Sequence, residues 1–492
     1  MLQLYPDTAR KRGALLRMLG TILVILAALY GIVIAAAIAG QAPLAAIAHF
    51  GIPCLILLTT GLLLRRKRNA AARLRLGDAG PAIFWGWVIL VIAAMPPFMT
   101  LSGMTVIQAL FESISGWTTT GLSVVEYAGT NSLIFLWRSI LQLAGGAGLA
   151  ILLVSISGGA SGSLYSRVEG RDLLVPHVKD SARLVLRLYA IYLIVGVLSY
   201  MAVGLSFYES FNHACAAIST GGFSNRPESI GTWDSVYVEG VSIALMILGN
   251  MNFITAWLLA RGKWTLLGRN SELRLMVVAI AAGAVLVYVF TTAHVYADFS
   301  KDGRVAFFET VSALTTTGFS TTSYTSWSHT GILVLIILMV IGGGACSTAG
   351  GLKQIRVYIL WKSMVRAVRT FILPRGATLP LRVHDGERWR NVTEGELSAL
   401  SAFTILYLAF LTAGTLLLTM QGYSLSDSLF EFASALGTVG ISIGITGPHT
   451  PAMPLLAMSA AMLLGRLEIF LVFFGIKGAL RLLHRKPGGG SQ

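Results

Sequence analysis

Long apolar runs alternate with short polar or basic segments along the whole chain. Ten of these runs approach or exceed the roughly 20 residues that an α-helix needs to cross a bilayer. They cover 18–40, 44–64, 81–99, 133–157, 184–205, 236–260, 275–293, 331–346, 397–420 and 452–476. Four shorter apolar stretches remain. Because backbone polar groups in lipid must be satisfied within the segment, we expect helices, and so an all-α polytopic membrane protein.

One short polar pattern occurs four times between these runs, always with a glycine at the same place. The copies, called the Thr/Gly segments below, are 118–123, 219–224, 315–320 and 437–442 (TTTGLS, STGGFS, TTTGFS and GTVGIS). With their flanking spans they define four repeats at 81–165, 183–265, 273–372 and 395–486, preceded by two further spans and a basic linker within 1–75. An even number of spans separates consecutive copies, so the repeats are parallel. Parallel repeats imply an axis along the membrane normal, and one chain would form one pore.

Basic residues are distributed unevenly between the loops. Of the 37 Lys and Arg residues, 32 lie in the two terminal segments and in alternate loops. This asymmetry predicts that both termini and the basic linkers are cytoplasmic and that the Thr/Gly segments enter from the outer face. The net charge of +15 therefore reflects topology and does not indicate nucleic-acid binding. Cys54, Cys215 and Cys346 have no metal-ligand spacing and imply no disulfide framework.

The Thr/Gly segments have the chemistry of a cation filter. Irregular backbone at membrane depth persists only where it is buried in protein or lines water. Such a loop can direct carbonyl oxygens at a dehydrated cation, and glycine permits the positive φ that this requires. A single copy is ordinary loop chemistry, but four copies in register predict a filter. Its residues would be Thr119, Thr120, Gly121, Thr220, Gly221, Gly222, Thr316, Thr317, Gly318, Thr438, Val439 and Gly440.

The short helix predicted before each Thr/Gly segment carries an acidic residue or a histidine in one frame. Glu112, Glu309 and Glu431 align without gaps, and His213 takes this position in the second repeat. One interpretation is a hydrogen-bonding strut behind the loop, and the other is direct ligation of the ion. The histidine favours the strut, because a cationic side chain facing the pathway would repel a cation.

A glycine-rich segment interrupts the second span of the third repeat. It consists of Gly342, Gly343, Gly344, Ala345, Cys346, Ser347, Thr348, Ala349, Gly350 and Gly351, and Lys353 follows it. Close packing of small residues between helices is one interpretation. We favour a break that forms a mobile loop just below the filter and acts as a gate.

Arg466 lies within the last apolar run. An arginine at membrane depth is costly and therefore a candidate functional residue. It is either one half of an internal ion pair or a fixed positive charge that faces the cavity below the filter.

Together these features resemble the TrkH/TrkG group of the Trk/Ktr/HKT superfamily of potassium transporters. The resemblance covers essentially the whole chain and rests on the Thr/Gly segments, the glycine-rich break before Lys353-Gln354-Ile355-Arg356, the segment 465–470 (GRLEIF) and the two extra N-terminal spans. The break departs from the usual family pattern at Ala345-Cys346 and Ala349. The fourth Thr/Gly segment has Val439 where the others have Thr or Gly, so we expect an approximate fourfold ring.

The resemblance implies four potassium-channel-like M1-P-M2 repeats in a pseudo-fourfold arrangement, with K⁺ as the ion taken up across the bacterial inner membrane. It also implies a homodimer regulated by a TrkA-like cytosolic ring that binds nucleotide. In such a protein 342–351 is the intramembrane gate and Arg466 the cavity arginine. No nucleotide-binding loop is evident in the chain, so we expect no organic cofactor in it. Its basic linkers could dock the ring or contact anionic lipid head groups.

Three functions compete. The first is a potassium-selective, channel-like uptake pore, and the second is a K⁺ symporter on the same fold, coupled to Na⁺ or H⁺. The third is a membrane-embedded enzyme, but the HExxH and Walker patterns are missing from the chain. We therefore expect the uptake pore and no enzymatic activity.

Overall fold

The computed structural model describes residues 5–66, 76–156, 178–296, 299–374, 379–384 and 389–483. The longer helices are Tyr5–Ala39, Leu44–Arg65, Leu76–Ala94, Ser132–Ile156, Val178–Ala202, Val236–Asn250, Ser271–Val287, His329–Ile341, Gln354–Ile372, Glu394–Thr419, Ala452–Leu467 and Ile469–Leu483. Four helices that precede the Thr/Gly segments are called the pore helices: Val106–Trp117, Phe207–Ile218, Phe299–Leu314 and Leu425–Leu436. Shorter helical pieces are Pro96–Thr100, Ser229–Trp233, Phe253–Ala260, Trp264–Leu267, Tyr288–Thr292 and Ala293–Val295.

The helices confirm the predicted polytopic membrane protein. Six of those described are long and apolar enough to cross a bilayer: Leu15–Ala39, Leu44–Arg65, Pro81–Thr100, Leu184–Ala202, Ser271–Val295 and Glu394–Thr419. The broken pair Ala452–Leu467 and Ile469–Gly478 gives a seventh. Three shorter apolar helices, Ser132–Ala147, Val236–Asn250 and His329–Ile341, occupy the positions of the remaining predicted spans.

Two of the predicted spans were wrong in detail, because they are not continuous helices. The run 236–260 is interrupted at Met251, which is extended (φ −68°, ψ 139°). The run 452–476 is interrupted at Glu468, which has a positive φ of 60°. Neither break carries a glycine-rich signal. The break in the run 331–346 does carry one and was predicted from it, and the helix there ends at Ile341.

Within the described ranges, one pair of short strands departs from the all-α prediction. In the linker that follows Gln354–Ile372, two strands, β1 (Arg382–His384) and β2 (Trp389–Asn391), pair antiparallel. This hairpin is called the linker hairpin below.

The chain divides into two compact units, one made of residues 1–113, 148–184 and 467–492 and the other of 114–147 and 185–466. In the first unit, the two N-terminal helices pack closely, since a Cβ added at Gly20 would lie only 2.7 Å from the carbonyl oxygen of Gly61. Small residues permit this approach between membrane helices. The division into four repeats stays a prediction.

The second unit holds the four Thr/Gly segments, the glycine-rich segment and Arg466. Three glycines in it lie against the carbonyl at the C-terminal end of a pore helix: Gly145 against Trp117, Gly249 against Ile218 and Gly465 against Leu436. A side chain at any of these glycines would collide with that carbonyl. The helix after each of these three Thr/Gly segments therefore packs on its own pore helix in the same way.

Candidate ion pathway

The four Thr/Gly segments share one backbone conformation. A threonine in each has a positive φ: Thr119 (53°), Thr220 (50°), Thr316 (53°) and Thr438 (49°). The glycine two residues later is also positive: Gly121 (100°), Gly222 (68°), Gly318 (83°) and Gly440 (101°). A branched residue rarely adopts such a φ, because its Cβ crowds the backbone. The recurrence of a strained threonine at four equivalent positions therefore indicates one imposed geometry.

The segments contact one another in cyclic order. A Cβ at Gly121 would overlap the carbonyl oxygen of Gly221. The same relation joins Gly222 to Thr317, Gly318 to Val439 and Gly440 to Thr120. The fourth segment thus returns to the first, and the backbones form a closed ring, called the Thr/Gly ring below. Val439 takes part through its carbonyl, so the departure from threonine does not alter the backbone contact.

Buried side chains on the pore helices brace the chain just after the ring. One carboxylate oxygen of Glu309 accepts from the backbone N–H of Thr321 at 2.7 Å and from its hydroxyl at 2.8 Å, and the Tyr324 hydroxyl donates to the other. Glu431 accepts from the Ser442 hydroxyl at 2.8 Å and from the backbone N–H of Ile443 at 3.0 Å. These contacts favour the strut interpretation over ligation of the ion.

His213 has the same place in the second repeat. Its Nδ1 lies 2.8 Å from the carbonyl of Glu209, which requires a proton on Nδ1. Its Nε2 lies 2.9 Å from the hydroxyl of Ser224, just after the ring. Glu112, the equivalent residue in the first repeat, is fully buried like the other three.

Serines one turn further along the pore helices hold the ring glycines. Ser115 accepts from the N–H of Gly121, and Ser434 accepts from the N–H of Gly440, both at 3.0 Å. Ala216 occupies this position in the second repeat and has no hydroxyl to offer.

Gln142 supplies an anchor for the second segment. Its Oε1 accepts from the N–H of Phe223 at 3.2 Å, and its Nε2 donates to the carbonyl of Gly221. Gln142 was not predicted from the sequence, because it lies inside the apolar run 133–157. The alanine at 216 was a signal that a substitute would be needed.

The glycine-rich segment 342–351 forms a loop, called the glycine-rich loop below, against the threonines of the ring. The N–H of Gly350 donates to the Thr316 hydroxyl at 2.8 Å, and the Thr220 hydroxyl donates to that of Thr348 at 3.0 Å. A Cβ at Gly350 would overlap the Thr438 hydroxyl. The loop thus contacts three of the four strained threonines.

Two polar side chains that the sequence analysis did not single out also hold the loop. The amide oxygen of Asn250 accepts from the N–H of Gly344 at 2.9 Å, and the carboxylate of Glu272 accepts from the N–H of Ala345 at 2.5 Å. Asn250 is the last residue of its helix before the unpredicted break at Met251. The end of this helix therefore places a hydrogen-bond acceptor against the loop.

Arg466 and Lys353 donate to the loop's backbone. The guanidinium of Arg466 donates to the carbonyl of Thr348 and, at 2.8 Å, to that of Gly145. The ammonium of Lys353 donates to the carbonyl of Ala349 at 2.7 Å. Two positive charges therefore lie beside the loop.

The predicted site residues thus meet within one unit. Among the residues that the structure describes, no group of three or more His, Cys, Asp or Glu side chains could hold a metal ion. The oxygens of the ring residues themselves are backbone carbonyls and threonine hydroxyls.

Comparison with known proteins identifies the family of the chain. Residues 43–477 match the TrkH family, described as cation transport protein. The Trk system potassium uptake protein TrkG of Escherichia coli is 31% identical, with 84% of this chain and 87% of that protein covered. The Trk system potassium uptake protein TrkH of Halomonas elongata is 28% identical, with coverages of 84% and 88%.

The fold also matches a solved structure. The crystal structure of the potassium transporter TrkH from Vibrio parahaemolyticus superposes with a TM-score of 0.82 at 24% identity, over 96% of this chain and 98% of that one. At that identity the match establishes the fold. Since the family match extends over most of the sequence, the chain belongs to the TrkH family of cation transport proteins.

Proposed function

We propose that this protein takes up K⁺ through a pore whose selectivity filter is the Thr/Gly ring. The observation that carries the proposal is the closed ring itself, in which four backbones with the same alternate positive φ contact one another in order. Backbone carbonyls arranged in this way can replace the hydration shell of a potassium ion. The names of the relatives support potassium as the ion.

The ring favours cations for electrostatic reasons. The pore helices end at the ring, so their C-terminal carbonyls add negative partial charge there. The struts on these helices contact the chain just after the ring and leave the ring's own oxygens for the ion. A rigid support matters because selectivity requires the oxygens to keep their spacing when the ion is exchanged.

The glycine-rich loop is the proposed gate. It lies against the ring threonines and is held by Asn250, Glu272 and Arg466. In this state the loop obstructs the pathway, and the charges of Arg466 and Lys353 oppose the passage of a cation. Opening requires the loop to leave these contacts.

Regulation and assembly are part of the proposal. The resemblance to Trk proteins supports a homodimer controlled by a TrkA-like cytosolic nucleotide-binding ring, and the basic linkers are candidate docking surfaces. Coupling to Na⁺ or H⁺ remains the second candidate mechanism. Rubidium flux that continues without a sodium or pH gradient would favour the pore.

The test is radioactive rubidium uptake into liposomes that contain the purified chain, with Na⁺ and Li⁺ as competitors. We expect Gly318→Ser to abolish discrimination against Na⁺, because a serine at φ 83° is strained and its Cβ overlaps the carbonyl of Val439. Unchanged selectivity would exclude the ring as the filter.

Deletion of residues 345–350 tests the gate separately. We expect rubidium flux to rise, because the deletion removes the loop from the ring while the ring's own backbone contacts remain. A folded variant with unchanged flux would show that the loop is a packing element only.

A further inference from the structure

The linker hairpin shares a buried apolar cluster with Ala345 of the glycine-rich loop. Val383 of β1 pairs with Arg390 of β2, and the N–H of Val392 donates to the carbonyl of Leu381 at 2.8 Å. The ammonium of Lys362 donates to the carbonyl of Arg382 at 2.9 Å and ties the hairpin to the helix Gln354–Ile372. The hairpin is therefore fixed to the helix that continues from the loop.

One face of the hairpin packs on the loop. Leu381, Val383 and Val392 are 6%, 2% and 8% exposed and belong to one buried apolar cluster with Ala345 of the loop. Ile355 and Ile359 complete the cluster. Arg382, on the opposite face, is exposed. Ala345 is thus the residue through which the loop joins a core outside the pathway.

Hydrogen bonds through Ser271 and its neighbour Glu272 also connect the hairpin to Ala345. The N–H of His384 donates to the hydroxyl of Ser271 at 3.1 Å. Glu272, the next residue, accepts from the N–H of Ala345 at 2.5 Å. Both the methyl group and the backbone N–H of Ala345 are therefore held by groups connected to the hairpin.

We propose that the linker hairpin is a positioning element that keeps the glycine-rich loop closed against the ring. The proposal rests on the function proposed for the loop as a gate. Apolar contacts on Ala345 stabilise the closed loop, since an open loop must withdraw this methyl group from the cluster. Weakening the hairpin face therefore shifts the loop toward the open state.

Flux measurements on Val383→Ala and Leu381→Ala test this directly. Deleting buried methyl groups destabilises the packed state, so we expect rubidium uptake to rise about fivefold while selectivity against Na⁺ is unchanged. Arg382→Ala is the matched control, because it alters the same strand on its exposed face and should leave the flux at its original value.

Cys346 gives a second readout that does not depend on transport. Its side chain is 3% exposed in the loop, next to Ala345. In a background of Cys54→Ser and Cys215→Ala, we expect a maleimide to label Cys346 several times faster in Val383→Ala than in Arg382→Ala. A residue that served only to stabilise the linker would leave the labelling rate of the loop unchanged.

The outcomes separate this inference from the proposed function. If deletion of 345–350 raises flux but Val383→Ala matches Arg382→Ala in flux and in labelling, the gate stands and the positioning role is wrong. If that deletion has no effect on flux, the gate fails, and faster labelling still shows that the hairpin restrains the loop. Should Val383→Ala not fold, Ser271→Ala removes only the bond to the hairpin and must give the same two effects.

Discussion

The second and the fourth Thr/Gly segments have the same backbone but different supports. In the fourth, Ser434 holds the ring glycine and the carboxylate of Glu431 braces the chain beyond it. In the second, Gln142 reaches across from another helix and the imidazole of His213 contacts the hydroxyl of Ser224. Two side-chain chemistries therefore produce one main-chain geometry.

The second segment is also close to a buried cation. The guanidinium of Arg138 lies 3.9 Å from the ring centroid of Phe223 and donates to the carbonyl of Ser224 at 3.2 Å. A carboxylate at position 213 would attract the guanidinium of Arg138. With an imidazole there, the guanidinium contacts the aromatic ring of Phe223 and the carbonyl of Ser224. The two segments therefore differ in their supports while they share one backbone geometry, and we infer that the supports can be exchanged as long as that geometry is kept. Four predictions test this conclusion.

The largest effect is expected at the ring glycines, in the second and fourth segments alike. Gly222→Ala and Gly440→Ala each place a Cβ on a neighbouring carbonyl oxygen, and we expect each to cost about 3 kcal/mol or more and to abolish selective uptake. Rubidium uptake with Na⁺ competition and thermal unfolding measure both losses.

Gly444→Ala is the control for this prediction. Gly444 also has a positive φ, of 108°, but nothing lies near its missing Cβ. Strain alone should cost about 1 kcal/mol and leave selectivity intact. An equal loss at Gly444 and Gly440 would mean that the contact between segments is unimportant.

A smaller effect, different in the two segments, is expected at the struts. Glu431→Ala leaves several donors beyond the fourth segment without an acceptor, whereas His213→Ala removes one contact beyond the second segment, at Ser224, and one to the carbonyl of Glu209. We therefore expect Glu431→Ala to lower the melting temperature and the rubidium selectivity more than His213→Ala does. The reverse order would contradict the strut interpretation.

Gln142→Leu should affect the second segment alone. It removes both bonds of the amide clamp at nearly constant volume, and we expect a loss of about 1–3 kcal/mol with a moderate loss of selectivity. If the supports are interchangeable, Ala216→Ser in the Gln142→Leu background restores part of the lost stability and part of the lost selectivity. Failure of this rescue in a folded protein would show that the second segment needs its own chemistry.

The smallest effect is expected for Ser434→Ala. It removes one hydrogen bond to Gly440, worth about 1 kcal/mol, and reproduces the alanine that the second repeat already carries. Selectivity should stay unchanged in the uptake assay. A loss as large as that of Glu431→Ala would show that the serine does more than anchor the glycine.

Much of this architecture could be predicted from the sequence, because its causes are local. Span length, the recurring Thr/Gly pattern and the glycine content of 342–351 are properties of adjacent residues. The partners of these segments could not be predicted. Gln142, Asn250 and Glu272 lie in or beside apolar runs, and their roles depend on which helix packs against which.

The breaks at Met251 and Glu468 and the linker hairpin were missed for a similar reason. No glycine or proline occurs at either break, and each is made by the contacts around it. Around β1, Leu381 and Val383 alternate with Arg382 and His384. This pattern is compatible with a basic cytoplasmic linker, and the apolar cluster that Val383 shares with Ala345 depends on long-range packing.

The contact between Gly440 and Thr120 has a consequence for biosynthesis. The ribosome completes the first repeat long before the last, so the circle of oxygens stays open until nearly the whole polypeptide has emerged. Long-range closure of this kind is a late event in folding. Prematurely terminated chains that end before residue 437 lack the fourth Thr/Gly segment and therefore cannot close this circle.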